Sequence, residues 1–259
     1  MDTYTIQQIL ERCSREKYIE IKNQFEELDD TFKTPRMRIM GKYGWNILTS
    51  GEISVMGKID LLKYAHENGI YWNKYTCSEA LIYGHLECLK YAHENGCPWD
   101  NETCEGASRG GYLECLKYAH KNGCPWDEWT CSYASKHGHL ECLKYAHENG
   151  CPWDEETCAC ASEGHLECLI YVHENGCPWD NETCIRASQY EQVECLRYAH
   201  ENGCPWDEST CYEASKFGHV ECLKYAHENG CPIVVIKCLK CARGECKEYL
   251  ESSKRYEFL

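Results

Sequence analysis

No run of apolar residues in this 259-residue chain is long enough to cross a bilayer as a helix, which excludes a helical membrane protein. The opening MDTYTIQQILERC lacks the basic start and apolar stretch of a secretory signal, so a soluble, cytoplasmic protein is expected. Positive charge is also scarce. Against 42 acidic residues stand 27 basic ones, a net charge of −15, and the acids recur along the chain. Such a surface repels a nucleic-acid backbone or an anionic membrane, so neither is expected as a partner. No stretch alternates polar and apolar residues as a half-buried strand does, so the chain reads as all-α.

What the sequence has is a repeat. GHLECLKYAHENGCPWD, residues 138–154, recurs with its second glycine at Gly69, Gly96, Gly123, Gly150, Gly176, Gly203 and Gly230, a period of 27 broken once by 26. A period this regular predicts a stack of identical units. Each unit carries two helix signals. In the second helix, Leu140, Leu143 and Ala146 form an apolar stripe widened by Cys142 and Tyr145, Glu141 suits the positive helix start, and Asn149-Gly150 ends it. Cys151-Pro152-Trp153 must be extended, and Asp154 is the expected N-cap of the next helix, which contains Thr157, Cys158 and Ala161 and stops near Gly164. The tryptophans of this segment, Trp99, Trp126, Trp153, Trp179 and Trp206, are expected to form a buried or half-buried row over the helix ends.

The 23 cysteines suggest a disulfide framework at first sight, but eighteen of them occupy three slots in each of six repeats. Cys131 represents the first-helix slot, Cys142 the second-helix slot and Cys151 the slot before proline. Position in the repeat marks them as small core residues, reduced and inaccessible. At the C-terminal end Cys231, Cys238, Cys241 and Cys246 invite a zinc reading. Their register argues against it, because Cys238 and Cys246 fall in the slots of Cys211 and Cys222, so the tail reads as a shortened last repeat.

Three segments are expected: 1–45 as an N-terminal helical cap or small adaptor, 46–232 as the array and 233–259 as a C-terminal capping repeat. Residues 46–72 form a worn first repeat in which Tyr71-Trp72-Asn73 replaces CPWD. One residue is missing between Ala161 and Gly164, and Glu191-Gln192 replaces Gly-His, so both turns are expected to differ in shape and to alter the local curvature.

Ala134-Ser135-Lys136-His137-Gly138-His139-Leu140-Glu141-Cys142-Leu143-Lys144-Tyr145, continued by Asn149-Gly150-Cys151, resembles the ankyrin consensus A-A-x-x-G-H-L-E-V-V-K-L-L-L-E-x-G-A. The short, Cys- and Trp-rich form resembles in particular the ankyrin-repeat proteins of mimivirus-like giant DNA viruses. The resemblance covers roughly residues 46–250 and implies an ankyrin-type α-solenoid that binds proteins without catalysis. It puts Cys131, Cys142 and Cys151 in apolar core slots. The unit is shorter than the family's and T-P-L-H is missing, so the family's hairpin fingers are not expected here.

A catalytic or metal reading fares poorly. His66, His93, His120, His147, His173, His200 and His227 share one slot, yet stacked helices lie roughly 10 Å apart, too far for neighbouring rings to share one ion. Within a repeat, Cys142, His147 and Cys151 lack a fourth ligand, and a Cys-His pair present in every repeat points to packing. No catalytic residue, metal or cofactor is expected. Binding remains. The second helix barely varies, whereas the slots after Thr-Cys and at the first-helix end do; drift at solvated positions explains this as well as selection of a partner surface does, and the aromatic residues tilt the reading towards an interface. The expected contact residues are Tyr133, His137, Arg186, Tyr190, Tyr212 and Phe217. The chain is thus read as a monomeric scaffold for a protein partner, with a ubiquitin-ligase substrate adaptor built on residues 1–45 and a metal-binding or redox thiol array as alternatives.

Overall fold

The computed structural model describes residues 50–67, 71–72 and 75–253, and every regular element among them is an α-helix. The segment 1–45 expected as cap or adaptor lies outside the described residues. Two compact units divide between Trp126 and Asp127. The first contains α1 (Ser50–Val55), α2 (Ile59–Glu67), α3 (Tyr75–Ile82), α4 (Leu86–Glu94), α5 (Asn101–Gly110) and α6 (Leu113–Lys121). The second contains α7 (Glu128–Lys136), α8 (Leu140–Glu148), α9 (Glu155–Ala161), α10 (Leu166–Glu174), α11 (Asn181–Gln189), α12 (Val193–Glu201), α13 (Glu208–Phe217), α14 (Val220–Glu228), α15 (Val235–Cys241) and α16 (Glu245–Ser253). Each unit is a stack of helix-turn-helix repeats, odd-numbered helices coming first in a repeat and even-numbered ones second. No helix among the described residues is long and apolar enough to cross a membrane.

The repeat that starts at Asp127 shows how the sequence builds the unit. Asp127 has extended backbone angles and its carboxylate accepts from Trp129 N at 3.1 Å, satisfying one of the free N–H groups at the start of α7. The helix stops where His139 N donates back to Ala134 O at 2.8 Å. Gly138 makes this turn with φ 72°, and a Cβ there would also lie 2.4 Å from the ring of His165 in the next repeat, so conformation and space both require glycine. At the far end of α8 the Asn149 amide caps Tyr145 O at 2.7 Å, and Cys151 N returns to Ala146 O at 3.0 Å.

Side-chain size sets the two layers apart. The buried face of α7 is Thr130, Cys131, Ser132, Ala134 and Ser135, and that of α13 is Thr210, Cys211, Ala214 and Ser215, with no large residue among them. Small faces let helices approach closely. Accordingly α1, α3 and α5 pack tightly one on the next in the first unit, and α7, α9, α11, α13 and α15 do so in the second, while consecutive second helices touch sparingly. The bulk of the core comes from the second layer, where Leu89, Leu116, Leu143, Leu169, Leu196 and Leu223 are fully buried.

Of the two irregular turns, only one has changed shape. Glu191 takes φ 63°, the only positive φ of a non-glycine among the described residues, and Gln192 N still donates to Ala187 O at 2.8 Å as His139 N does to Ala134 O. The turn thus keeps the glycine conformation at the cost of local strain, contrary to the expectation of a different shape. In the shortened repeat His165 N instead reaches Ala161 O at 2.9 Å and Gly164 opens to φ 146°. The tail keeps the register of a repeat: Cys238 and Cys246 are buried, and Tyr249 meets His227 as the equivalent tyrosines meet their histidines.

Candidate partner-binding face

The repeated residues form two constellations, and both are structural. His147 stacks on Trp153 at 3.7 Å between ring centroids, and its Nδ1 shares a hydrogen bond of 3.0 Å with the hydroxyl of Tyr171, one repeat further on. The edge of Tyr171 also meets Trp153 at 6.4 Å. The same triad is built by His173, Trp179 and Tyr198, by His200, Trp206 and Tyr225, and in the first unit by His93, Trp99 and Tyr118. Even the worn repeat has it, with Trp72 on His66 and its indole N–H donating to Asn95 O at 2.8 Å. Each half-buried tryptophan therefore ties one second helix to the next. The histidine that carries it has its face and Nδ1 occupied, which explains the shared slot without chemistry.

The second constellation uses sulfur. Cys151 Sγ donates to Asp127 O at 3.2 Å, Cys177 to Asp154 O at 3.1 Å, Cys204 to Asp180 O at 3.2 Å and Cys231 to Asp207 O at 3.1 Å, so a thiol closes the exit of each repeat onto its entry. Every described cysteine is free, and all but Cys241 are buried. Hydrogen bonding to Cys151, then burial, raises the pKa of Cys131; burial pushes Cys168 and Cys222 up to about 12. Thiols held protonated in this way are poor nucleophiles and poor metal ligands at neutral pH. Among the described residues no three of His, Cys, Asp and Glu are grouped to hold a metal ion.

The variable residues lie on the first-helix side of the second unit. His137, Tyr190 and Phe217 occupy the same slot at the ends of α7, α11 and α13 and are all exposed, Tyr190 by 44% and Phe217 by 39%. Phe217 lies 6.2 Å from the ring of His219, whose Nε2 is 3.0 Å from Gln189 O, so the exposed ring stands on a fixed base. Tyr133, half-buried, is one turn earlier on α7. Tyr212 is one position off that slot and turns towards α15, where Lys237 Nζ sits 4.8 Å from its ring centre.

Arg186 differs from the other five. Its guanidinium is engaged by Glu156 at 2.8 Å, Glu163 at 3.0 Å and Glu182 at 3.3 Å, and Glu163 also pairs with Lys136 at 3.1 Å. The side chain of Glu163 is only 9% exposed. This network spans α7, α9 and α11 at the repeat that lacks a residue, and it fixes the shortened turn in place. Arg186 is therefore a strut below Tyr190 more than an outward-reaching group.

Sequence reasoning missed Trp129, 44% exposed and 5.9 Å from Tyr133. Its signal was available, since it is a tryptophan outside the CPWD slot. It also missed α15 and its N-cap, where Ile236 and Val234 are exposed by 63% and 47%.

The described residues thus form an all-α protein of stacked helix-turn-helix repeats. No protein-family model matches the chain, and no curated protein does. Among solved structures it is similar to the human ASB11 ankyrin repeat domain, at 18% identity over 78% of this chain and 95% of that one, with a TM-score of 0.44.

Proposed function

We propose that the chain is a non-catalytic protein-interaction scaffold of ankyrin type, and that its partner lies on the first-helix side of the second unit. The surface is centred on Tyr133, His137, Tyr190, Tyr212 and Phe217, with Arg186 bracing it from below. One observation carries this reading: the repeated leucine, cysteine, histidine, tryptophan and tyrosine residues are used up in packing, while the residues that vary include exposed aromatics on a rigid frame. Interfaces concentrate their energy in a few such anchors. Residues 1–45 are proposed as cap or adaptor, 46–232 as the array and 233–259 as the closing repeat, in a monomeric cytoplasmic protein.

Capture of a partner from host cytosol, with the full chain and with its Tyr190→Ala and Phe217→Ala variants, tests the proposal. Each substitution should weaken capture by more than about 1 kcal/mol while Lys144→Ala and Glu148→Ala on α8 do not. If the losses fall on α8 and its equivalents, the face is wrong. Removing residues 1–45 should leave this capture intact; its loss on truncation would assign recruitment to the N-terminal segment.

A further inference from the structure

The last first helix, α15, departs from the repeat in a consistent direction. Earlier first helices of the second unit open with Asp127-Glu128, Asp154-Glu155, Asp180-Asn181 and Asp207-Glu208, at least one acid in every case, but here the same slots hold Val234-Val235. Lys237 stands where Thr130, Thr157, Thr183 and Thr210 are buried, and Lys240 stands in the slot of Glu213. Arg243 takes the position of the turn histidine, its Cβ packed over Gly218 next to Phe217.

These changes put exposed cations beside exposed apolar groups, on a chain whose net charge is −15. Ile236 is 63% exposed and Phe217 39%, and Lys237, Lys240 and Arg243 are exposed too. Lys237 lies over the ring of Tyr212, and Lys216 Nζ is 5.0 Å from the centre of Phe217. Two carboxylates of this region are held by other donors, although Lys237 also acts electrostatically on Asp207. Asp207 accepts from Ser209 N at 2.8 Å and from Asn181 at 2.7 Å, and Glu213 is held by Lys216 at 3.0 Å. Among the described residues, neither Lys237, Lys240 nor Arg243 is in a salt bridge with a carboxylate.

We propose that this end of the face, Tyr212, Phe217, Ile236, Lys237, Lys240 and Arg243, receives an acidic amphipathic peptide segment of the partner. Its carboxylates pair with the three cations, and its large apolar side chains settle on Ile236 and Phe217. Charge complementarity selects this ligand class, because a basic segment would meet like charge here. The assignment rests on the first-helix side being the binding side.

The probe is a fluorescein-labelled amphipathic peptide of about 14 residues, with leucine at i, i+3, i+4 and i+7, glutamate at about four outer positions and alanine elsewhere to keep it helix-prone. Fluorescence anisotropy on the full chain at about 0.15 M salt confines charge effects to roughly 8 Å. Saturable binding is expected. Lys237→Glu with Lys240→Glu should weaken it about tenfold, and Ile236→Asp about fivefold. The control pair Lys144→Glu with Lys224→Glu, which changes net charge equally on the second helices, should change it by less than about twofold. Equal loss from both pairs means that only bulk charge is read, and absence of saturable binding to the unaltered chain overturns the proposal outright. If the peptide fails while Tyr190→Ala still abolishes partner capture, the ligand class is wrong and the binding side stands; the reverse pattern removes the side and leaves the basic patch.

Discussion

The second helices α8, α10, α12 and α14 read LECLKYAHE, LECLIYVHE, VECLRYAHE and VECLKYAHE, whereas α7, α9, α11 and α13 share only a T-C-x-x-A-S frame. Yet the variable layer is the more tightly stacked of the two. The difference follows from where each helix meets its neighbour. A first helix packs through a frame of small residues that occupies one narrow stripe, so its remaining slots are free to change. A second helix commits more slots, with leucine, cysteine and alanine inward and the His-Trp-Tyr seam at its end, so little can change at those slots without loss, while Glu141 and Glu148 stay exposed. Repetition in the apolar and aromatic slots marks packing, and on the function proposed above the variable slots mark recognition.

The largest expected effect treats both layers alike, since each buries cysteines. Cys168 and Cys222 keep their protons to about 12 in the folded chain, against a reference of 9.0. The sign follows directly: a raised folded pKa means that above about pH 9 the unfolded chain binds fewer protons than the folded one, so stability is full below that pH and falls as pH rises. One unit above the unfolded value costs about 1.4 kcal/mol per thiol. With several such thiols, stability should drop by several kcal/mol between about pH 8.5 and 10, read from urea midpoints. A constant midpoint would mean that the thiols are open to solvent.

Trp153→Ala separates the layers. The half-buried ring covers roughly 100 Å² of apolar surface, so its loss should cost about 2–3 kcal/mol in denaturant titration. Partner capture by the surviving folded fraction should stay unchanged. A cost below about 1 kcal/mol would remove the tryptophan seam as the tie between second helices.

Arg186→Ala attacks the exception, a first-helix residue that acts in packing. It leaves the nearly buried Glu163 with Lys136 alone, and a partly exposed network of this kind should lose about 1–2 kcal/mol. An unchanged melting curve would return Arg186 to the set of outward contacts.

Two smaller effects sharpen the contrast. Glu191→Gly relieves the left-handed strain at a cost in chain entropy and in the 3.6 Å contact with His219, for a net gain of about 0.5 kcal/mol; destabilisation would show that the side chain secures the turn. Tyr190→Ala should change stability by less than about 1 kcal/mol, because Tyr190 is 44% exposed and not part of the core. A larger loss would make Tyr190 a packing residue and weaken its case as a binding anchor.

The sequence by itself determined the all-α class, the period, both helix ends of each repeat and the burial of Cys131, Leu143 and Cys151. Those features obey local rules: an aspartate caps, a glycine turns, an apolar stripe seeks cover. Tertiary structure decided what depends on placing one repeat against the next. It joined His147 and Trp153 to Tyr171 across 24 residues, gathered Arg186 of α11 with Glu156 of α9 and Glu163 of the turn after it, and forced Glu191 into the glycine conformation. It also decided that Arg186 braces while Tyr190 and Phe217 stand exposed, although all three vary in the sequence. Variation shows that a slot is free of the repeat's packing rule, but only the neighbouring repeat fixes whether its side chain meets a carboxylate or water.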